Sequence, residues 1–247
     1  DIYGEILDIM YLYFVYYEYE KKISRKYWRF IRFIVNQIKF CWERPDSGIW
    51  EFRGEYRHYT HSKFMCYTGL DRAIKIAKHY KKDQFVEEWS KLADEIKNSI
   101  IVNGYNKKIK SFTMYYGGKE LDAVLLHMTY HEFLDKDNPM IINTVKAIDK
   151  ELRVGDFVQR YKIQDDFGKS KSTFTICAFW LIEALYYIGK EKKAKNMFHK
   201  LVKNSNHLGL FSEDIDIKTK ELTGNFPQAY THISLINAAI LLSEWSV

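Results

Sequence analysis

Two kinds of helical segment alternate along this chain, and the alternation restricts it to architectures in which one set of helices encloses another. Segments 2–20, 60–80, 121–134, 173–189 and 228–245 are apolar nearly all round, and such helices bury most of their surface. The segments between them are amphipathic. After Asp83, residues Phe85, Trp89, Leu92, Ile96 and Ile100 recur at spacings of four, three, four and four, and Ala194, Met197, Phe198, Leu201 and Val202 repeat the pattern after Gly189. The apolar segments begin roughly fifty to sixty residues apart, so the repeating unit is a helical hairpin with one inner and one outer member. An inner ring of helices within an outer ring is an (α/α)6 toroidal barrel when six hairpins close it. The chain is therefore expected to be all-α, an incomplete toroid with about nine of the twelve helices.

Composition agrees with helices. Only 3 prolines and 12 glycines punctuate 247 residues, too few for the turns of a sandwich or β-barrel of this length. The net charge is +6, but the basic residues are mixed with acidic ones, as in Lys21–Lys22, Lys81–Lys82 and Glu191–Lys192–Lys193. They read as solvated helix ends, and no nucleic-acid partner is expected. Cys41, Cys66 and Cys177 sit in apolar runs without metal-like spacing, the pattern of reduced, buried thiols in a cytoplasmic protein. No signal-peptide pattern opens the sequence. The most apolar stretch, 174–188, is interrupted by Glu183 and is shorter than the ~20 residues that span a bilayer, so membrane insertion is not expected.

Loop lengths alternate too. Connections from inner to outer helix are short (21–25, 81–83, 135–137 and 189–190), whereas those from outer to inner helix are long (44–59, 104–120, 153–172 and 207–227). Loops beyond ~12–15 residues are uncommon in compact domains unless they carry function. Because successive helices reverse direction, all four long loops are predicted at one end, and that rim is the expected site.

Two of these loops carry a carboxylate with no helical reason to be there. The first reads Asp46-Ser-Gly-Ile-Trp-Glu51-Phe-Arg-Gly54, followed by Arg57-His-Tyr-Thr-His-Ser-Lys63. The last reads Leu208-Gly-Leu-Phe-Ser-Glu213-Asp-Ile-Asp216, followed by Gly224-Asn-Phe-Pro-Gln-Ala-Tyr-Thr-His232. Metal binding is the rival use of such residues. Asp214 and Asp216 suggest a calcium loop, but Lys218 occupies a ligand position and no glycine bends the turn. His127 and His131, four apart with Glu132 adjacent, lack a third ligand, and His58 and His61 fit a polar rim better than a zinc site. No metal or organic cofactor is expected.

These two segments resemble the signature regions of glycoside hydrolase family 15, the glucoamylases and their prokaryotic trehalase relatives. Asp1-Ile-Tyr-Gly-Glu5, Leu121-Asp-Ala123, Arg160-Tyr161 and Ile176-Cys-Ala-Phe-Trp-Leu-Ile-Glu-Ala184 extend the resemblance over nearly the whole chain. It implies inverting hydrolysis at the non-reducing end of an α-linked glucose, with Glu51 as general acid and Glu213 as general base. Trp50, Arg53, Asp122 and Arg160 are then the sugar-binding residues. Such chemistry requires two carboxyl groups ~6.5–9.5 Å apart in opposite protonation states. Ile49, Trp50 and Phe52 are expected to desolvate Glu51, while Glu213 stays ionised. The resemblance implies malto-oligosaccharide or starch-like ends as substrate, with α,α-trehalose as the alternative within the same chemistry and a non-catalytic carbohydrate-binding remnant as the alternative outside it. Between Phe167 and Phe174 the chain reads Gly-Lys-Ser-Lys-Ser-Thr, where many relatives are acidic. Against the family, residues 1–247 are expected to be one catalytic barrel lacking an N-terminal β-sandwich domain and the first three barrel helices. A partner or a missing N-terminal segment would complete the ring.

Overall fold

A computed structural model describes residues 1–19, 21–164, 168 and 172–243. The ends of the predicted 2–20 and 228–245 segments, and residues 165–167 and 169–171 of the third long loop, lie outside the described residues. The chain gathers into two compact units, Asp1–Tyr105 with Met114–Gly118, and Asn106–Thr113 with Lys119–Val247.

In the first unit, α1 (Ile2–Tyr11) runs into a π-helical turn (Leu12–Tyr16), followed by α2 (Arg25–Cys41), α3 (Thr60–His79) and α4 (Val86–Ser99). The Asp1 carboxylate accepts from Ile2 N at 2.7 Å, and the Ser24 hydroxyl caps α2 by accepting from Tyr27 N at 3.3 Å. Helix α2 buries Ile31, Ile34, Val35 and Ile38 on one stripe, whereas α3 is buried at every position from Thr60 to Leu70. These are the outer and inner kinds that the sequence distinguishes. Helices α1 and α3 approach so closely that a Cβ on Gly69 would lie 3.3 Å from the Gly4 Cα and 2.9 Å from the Ile38 Cδ1. Glycine lets the two backbones touch there. Helix α4 follows the predicted stripe, with Trp89, Ala93 and Ile96 buried and the Trp89 ring 5.8 Å from Trp28.

The second unit contains a 3-10 helix (Ala123–Thr129), α5 (Pro139–Glu151), α6 (Thr175–Tyr187), α7 (Glu191–Leu201) and α8 (Ala229–Leu242). Short strands lie between them: β1 (Tyr105–Asn106) and β2 (Ser111–Phe112) precede α5, and β3 (Arg153–Val154), β4 (Phe157–Val158), β5 (Ser172–Phe174), β6 (Asp214–Asp216) and β7 (Leu222–Thr223) follow it. Helix α6 is buried at each residue from Thr175 to Leu185, and α7 buries Ala194, Met197 and Leu201. Strand β6 pairs antiparallel with β5 on one side and β7 on the other, with Phe174 opposite Asp214 and Asp214 opposite Thr223.

Two expectations need correction. The inner helix expected over 121–134 is 3-10, not α: the Asp122 carboxylate caps it by accepting from Val124 N at 3.0 Å, the Thr129 hydroxyl bonds back to Leu126 O at 2.7 Å, and Glu132 at φ +60° turns the chain away. Nor is α8 buried on most of its surface. It packs on α6 and α7 through Thr231, Ser234 and Ala238, and leaves Ile233, Ile236 and Ile240 at 56%, 54% and 55% exposure. Ile2 and Ile9 of α1 are likewise exposed. A helix apolar all round needs cover on two sides, and the described residues of each unit give these helices one. No described helix is long and apolar enough to cross a membrane.

Candidate active site

The loop carrying Glu51 belongs to the first unit and is built on Asp46. The backbones of Asp46 and Arg57 exchange hydrogen bonds of 2.9 and 3.0 Å, closing the loop at its base. The Asp46 Oδ1 accepts from Gly48 N at 2.7 Å and from the Ser62 hydroxyl at 2.8 Å, so one carboxylate ties the loop start to the first turn of α3. Lys63, 3% exposed, reaches the same carboxylate at 3.7 Å and donates to Arg44 O. Burial holds the Lys63 ammonium below its ordinary value, and Asp46 opposes that shift. Gly48, at φ +69°, lies against the Tyr59 ring, where a Cβ would come within 2.9 Å of Cγ.

This frame delivers Glu51 in an unusual conformation. Its φ is +54°, and Glu51 N and Phe52 N donate back to Gly48 O and Ser47 O at 3.1 and 3.0 Å. A left-handed residue with a Cβ costs roughly 1–2 kcal/mol, and such strain is retained where surrounding contacts over-determine it, often at functional positions. The enclosure expected from Ile49, Trp50 and Phe52 is not formed within this unit. Glu51 is exposed, because Phe52 turns away to stack on Tyr59 with ring centroids 5.6 Å apart and planes 5° from parallel. Trp50 is half-buried and Arg53 exposed.

Glu213 belongs to the second unit, immediately before β6. Its N–H donates to Asn225 O at 2.9 Å and its carbonyl accepts from Thr175 N at 2.8 Å, which fixes its backbone between the end of β7 and the start of α6. The half-buried carboxylate accepts at Oε2 from Asn225 N at 3.1 Å and from Asn225 Nδ2 at 2.8 Å. Next to it, Asp214 accepts from the Ser172 hydroxyl. Burial pushes the Asp214 carboxyl above its ordinary value, against the Ser172 hydrogen bond and the Arg160 charge.

Arg160 is half-buried, its guanidinium 5.7 Å from the Tyr161 ring centroid and 5.9 Å from that of Phe174, and its carbonyl accepts from Ala123 N at 2.9 Å. Asp122 is only 3% exposed and caps the 3-10 helix. Buried Cys177 has its thiol pushed up by burial, with Asp122 and Asp214 adding to the shift and Arg160 opposing it. The structure therefore gathers Asp122, Arg160, Asp214 and Glu213 around the β5–β6–β7 sheet and the start of α6. Motif reading missed the roles of Asn225 and Gly224, although both lie in the segment after Glu213. Asp46 was likewise visible only as the first letter of its motif.

His127 and His131 behave as packing. The His127 ring lies 4.4 Å from Trp180 and 6.4 Å from His131, and burial, with His131 adding, pushes it down to about 3. Among the described residues no three His, Cys, Asp or Glu gather as a metal site. A groove of about 690 Å³ in the second unit, walled by Lys110, Lys119, Lys146, Lys150 and Lys162, contains none of the candidate residues.

Comparison with known proteins adds three findings. The family model for Glycosyl hydrolases family 15 matches residues 1–240. A protein of Mycobacterium tuberculosis named trehalase is 39% identical over 243 residues, which is 97% of this chain and 35% of that one. Trehalase 2 of Sulfolobus acidocaldarius is 35% identical over 245 residues, 99% of this chain and 42% of its own length. The chain thus spans well under half of these relatives. Among solved structures, a wild-type glycosidase superposes with a TM-score of 0.80 at 15% identity, covering 97% of this chain and 66% of the other. Saccharomycopsis fibuligera glucoamylase superposes at 0.69 with 12% identity, covering 85% and 60%. At such identities the likeness shows the fold alone, and that fold is the all-α toroid, here incomplete.

Proposed function

Because the chain belongs to glycoside hydrolase family 15, we propose that it carries the acid and base of an inverting α-glucoside hydrolysis, with α,α-trehalose as substrate. The identity to proteins named trehalase, 39% and 35% in the two cited, supports this substrate over the malto-oligosaccharides that the motifs put first. The likeness to a glucoamylase is one of fold.

Glu51 protonates the glycosidic oxygen. Glu213 takes a proton from water as the water oxygen attacks C1 from the opposite face, which inverts that carbon. The acid begins neutral and ends charged, and the base does the reverse, so the proton is returned through solvent. With trehalose, the attacked ring leaves as β-glucose and the other as α-glucose. Trp50 supplies an apolar wall for the sugar ring, while Arg53 and Arg160 offer planar guanidinium groups to vicinal hydroxyls. Asp122, buried at its helix cap, orients the segment beside Arg160 and contributes to the sugar pocket. We read residues 1–247 as one catalytic barrel whose remaining helices come from a further segment or a partner, which would cover the apolar stripes of α1 and α8. We place the reaction in the cytoplasm, where thiols such as Cys66 and Cys177 stay reduced.

The observation that carries the proposal is the held pair of loops: a strained Glu51 on an Asp46 scaffold, and a Glu213 carboxylate fixed by two N–H donors. The test is glucose release from trehalose, maltose and isomaltose by the folded chain, with Glu51→Gln and Glu213→Gln as controls. Trehalose turnover lost by about 10²–10⁴-fold in each variant is expected. Turnover of maltose but not trehalose would overturn the substrate, and absence of any turnover by the folded chain would mean that the remaining helices are required or that the role is carbohydrate binding.

A further inference from the structure

An inverting base takes the water proton on one of its two oxygens, and the surroundings of Glu213 distinguish them. Antiparallel pairing of β6 with β7, with Asp214 opposite Thr223, carries the returning strand past Gly224 to Asn225, whose carbonyl accepts from Glu213 N at 2.9 Å. With the backbones locked, both donors of Asn225, the peptide N–H at 3.1 Å and the side-chain Nδ2 at 2.8 Å, converge on Oε2. Among the described residues Oε1 receives no such donor. Gly224, at φ +77°, completes the cradle, since a Cβ there would lie 3.1 Å from both Glu213 Cβ and Oε2. A side chain at 224 would be strained and would push the carboxylate off its donors.

We infer that Asn225 is the positioning residue of the base: it occupies Oε2 and leaves Oε1 as the oxygen that receives the water proton. The inference rests on the reading of Glu213 as base. A carboxylate oxygen already accepting two N–H bonds has both lone-pair directions filled, so protonating it means breaking one of them. Oε1 takes the proton without that loss. In the step, a water O–H bond breaks, its proton goes to Oε1 and its oxygen bonds to C1. The C1–O bond to the leaving group breaks at the same time, and that oxygen takes the proton of Glu51. The Asn225 bonds fix the rotation of the carboxylate towards the water.

The experiment compares Asn225→Ala, Asn225→Asp and Glu213→Gln with the parent chain on trehalose. Asn225→Ala is expected to lower kcat roughly 10- to 100-fold, the worth of a hydrogen bond to a charged group, with KM changed less than about threefold. The acidic limb of its kcat/KM profile moves to higher pH, and Asn225→Asp, which sets a second carboxylate against the first, moves it further. Loss of KM alone, or an unmoved limb, overturns the inference. If Glu213→Gln still hydrolyses substrate, the base assignment itself fails. If Glu213→Gln is dead while Asn225→Ala equals the parent, the base stands and the positioning role falls. A readout independent of turnover accompanies these assays: in a pH titration by nuclear magnetic resonance, the Asn225 backbone and side-chain amide protons are expected to follow one carboxyl ionisation that vanishes in Glu213→Gln. Amide protons flat in both proteins overturn the inference.

Discussion

Glu183 lies in the middle of α6, buried, and its Oε1 has no hydrogen-bond partner among the described residues. Burial pushes its carboxyl from 4.5 up to about 8, so the folded chain holds this proton where the unfolded chain releases it. The folded state binds more protons between those two values, and stability is therefore greatest below pH 4.5 and falls as pH rises towards 8. Since each pK unit corresponds to 1.36 kcal/mol, the cost at pH 7 is about 3 kcal/mol, against about 1 kcal/mol at pH 5. Glu183→Gln keeps the shape and removes the ionisation. It is expected to stabilise the chain by about 3 kcal/mol at pH 7 and by about 1 kcal/mol at pH 5, read from urea midpoints at both pH values with unchanged slopes. An effect independent of pH, or a loss of stability at pH 7, would refute the argument, because the first would mean that Glu183 ionises alike in the folded and unfolded chain and the second that it is ionised and paired in the folded chain.

Three further outcomes follow from the same physics. Glu51→Gly relieves the left-handed backbone at φ +54° and should raise stability by about 1 kcal/mol, while glucose release falls by the 10²–10⁴-fold expected for a lost general acid; stability and activity are measured on the same sample. Asp46→Ala leaves the 3%-exposed Lys63 side chain without its carboxylate and removes the acceptor of Gly48 N and the Ser62 hydroxyl, so a loss of roughly 1–3 kcal/mol is expected in urea unfolding. Gly69→Ala places a methyl 2.9 Å from the Ile38 Cδ1 and 3.3 Å from the Gly4 Cα, and the overpacked crossing of α1 and α3 should lower stability by about 1–3 kcal/mol.

The inner and outer helices were legible because burial on all sides and burial on one stripe leave different residue patterns. Helix α6 and the first half of α3 have no polar face to offer water, and α2, α4 and α7 show their stripes at three- and four-residue spacing. What the pattern does not encode is hydrogen-bond geometry. Ala123, Val124, Leu125, Leu126 and Met128 are apolar and buried whether the turn is α or 3-10, so the tighter form at 123–129 was invisible. Nor does a pattern say how many neighbours surround an apolar helix. The stripe Ile233, Ile236 and Ile240 reads as core, and only the packing of α8 on α6 and α7 shows which of its faces is covered.

Site residues divide along a related line. Glu51 and Glu213 stand out because a loop carboxylate flanked by aromatic and glycine residues needs a reason, and the resemblance supplied one. The residues that aim them do not stand out. Asp46 makes three contacts through one carboxylate, yet an Asp followed by Ser-Gly is also what any turn looks like. Asn225 matters because a short β-pairing returns the chain against Glu213 twelve residues on, and such pairing is decided by register, which two-residue strands like Leu222–Thr223 hardly announce. A loop site of this kind therefore shows its chemistry in the sequence and its orientation only in the fold. That is why the oxygen of Glu213 proposed to take the water proton is read from two hydrogen bonds and a glycine, and from no motif.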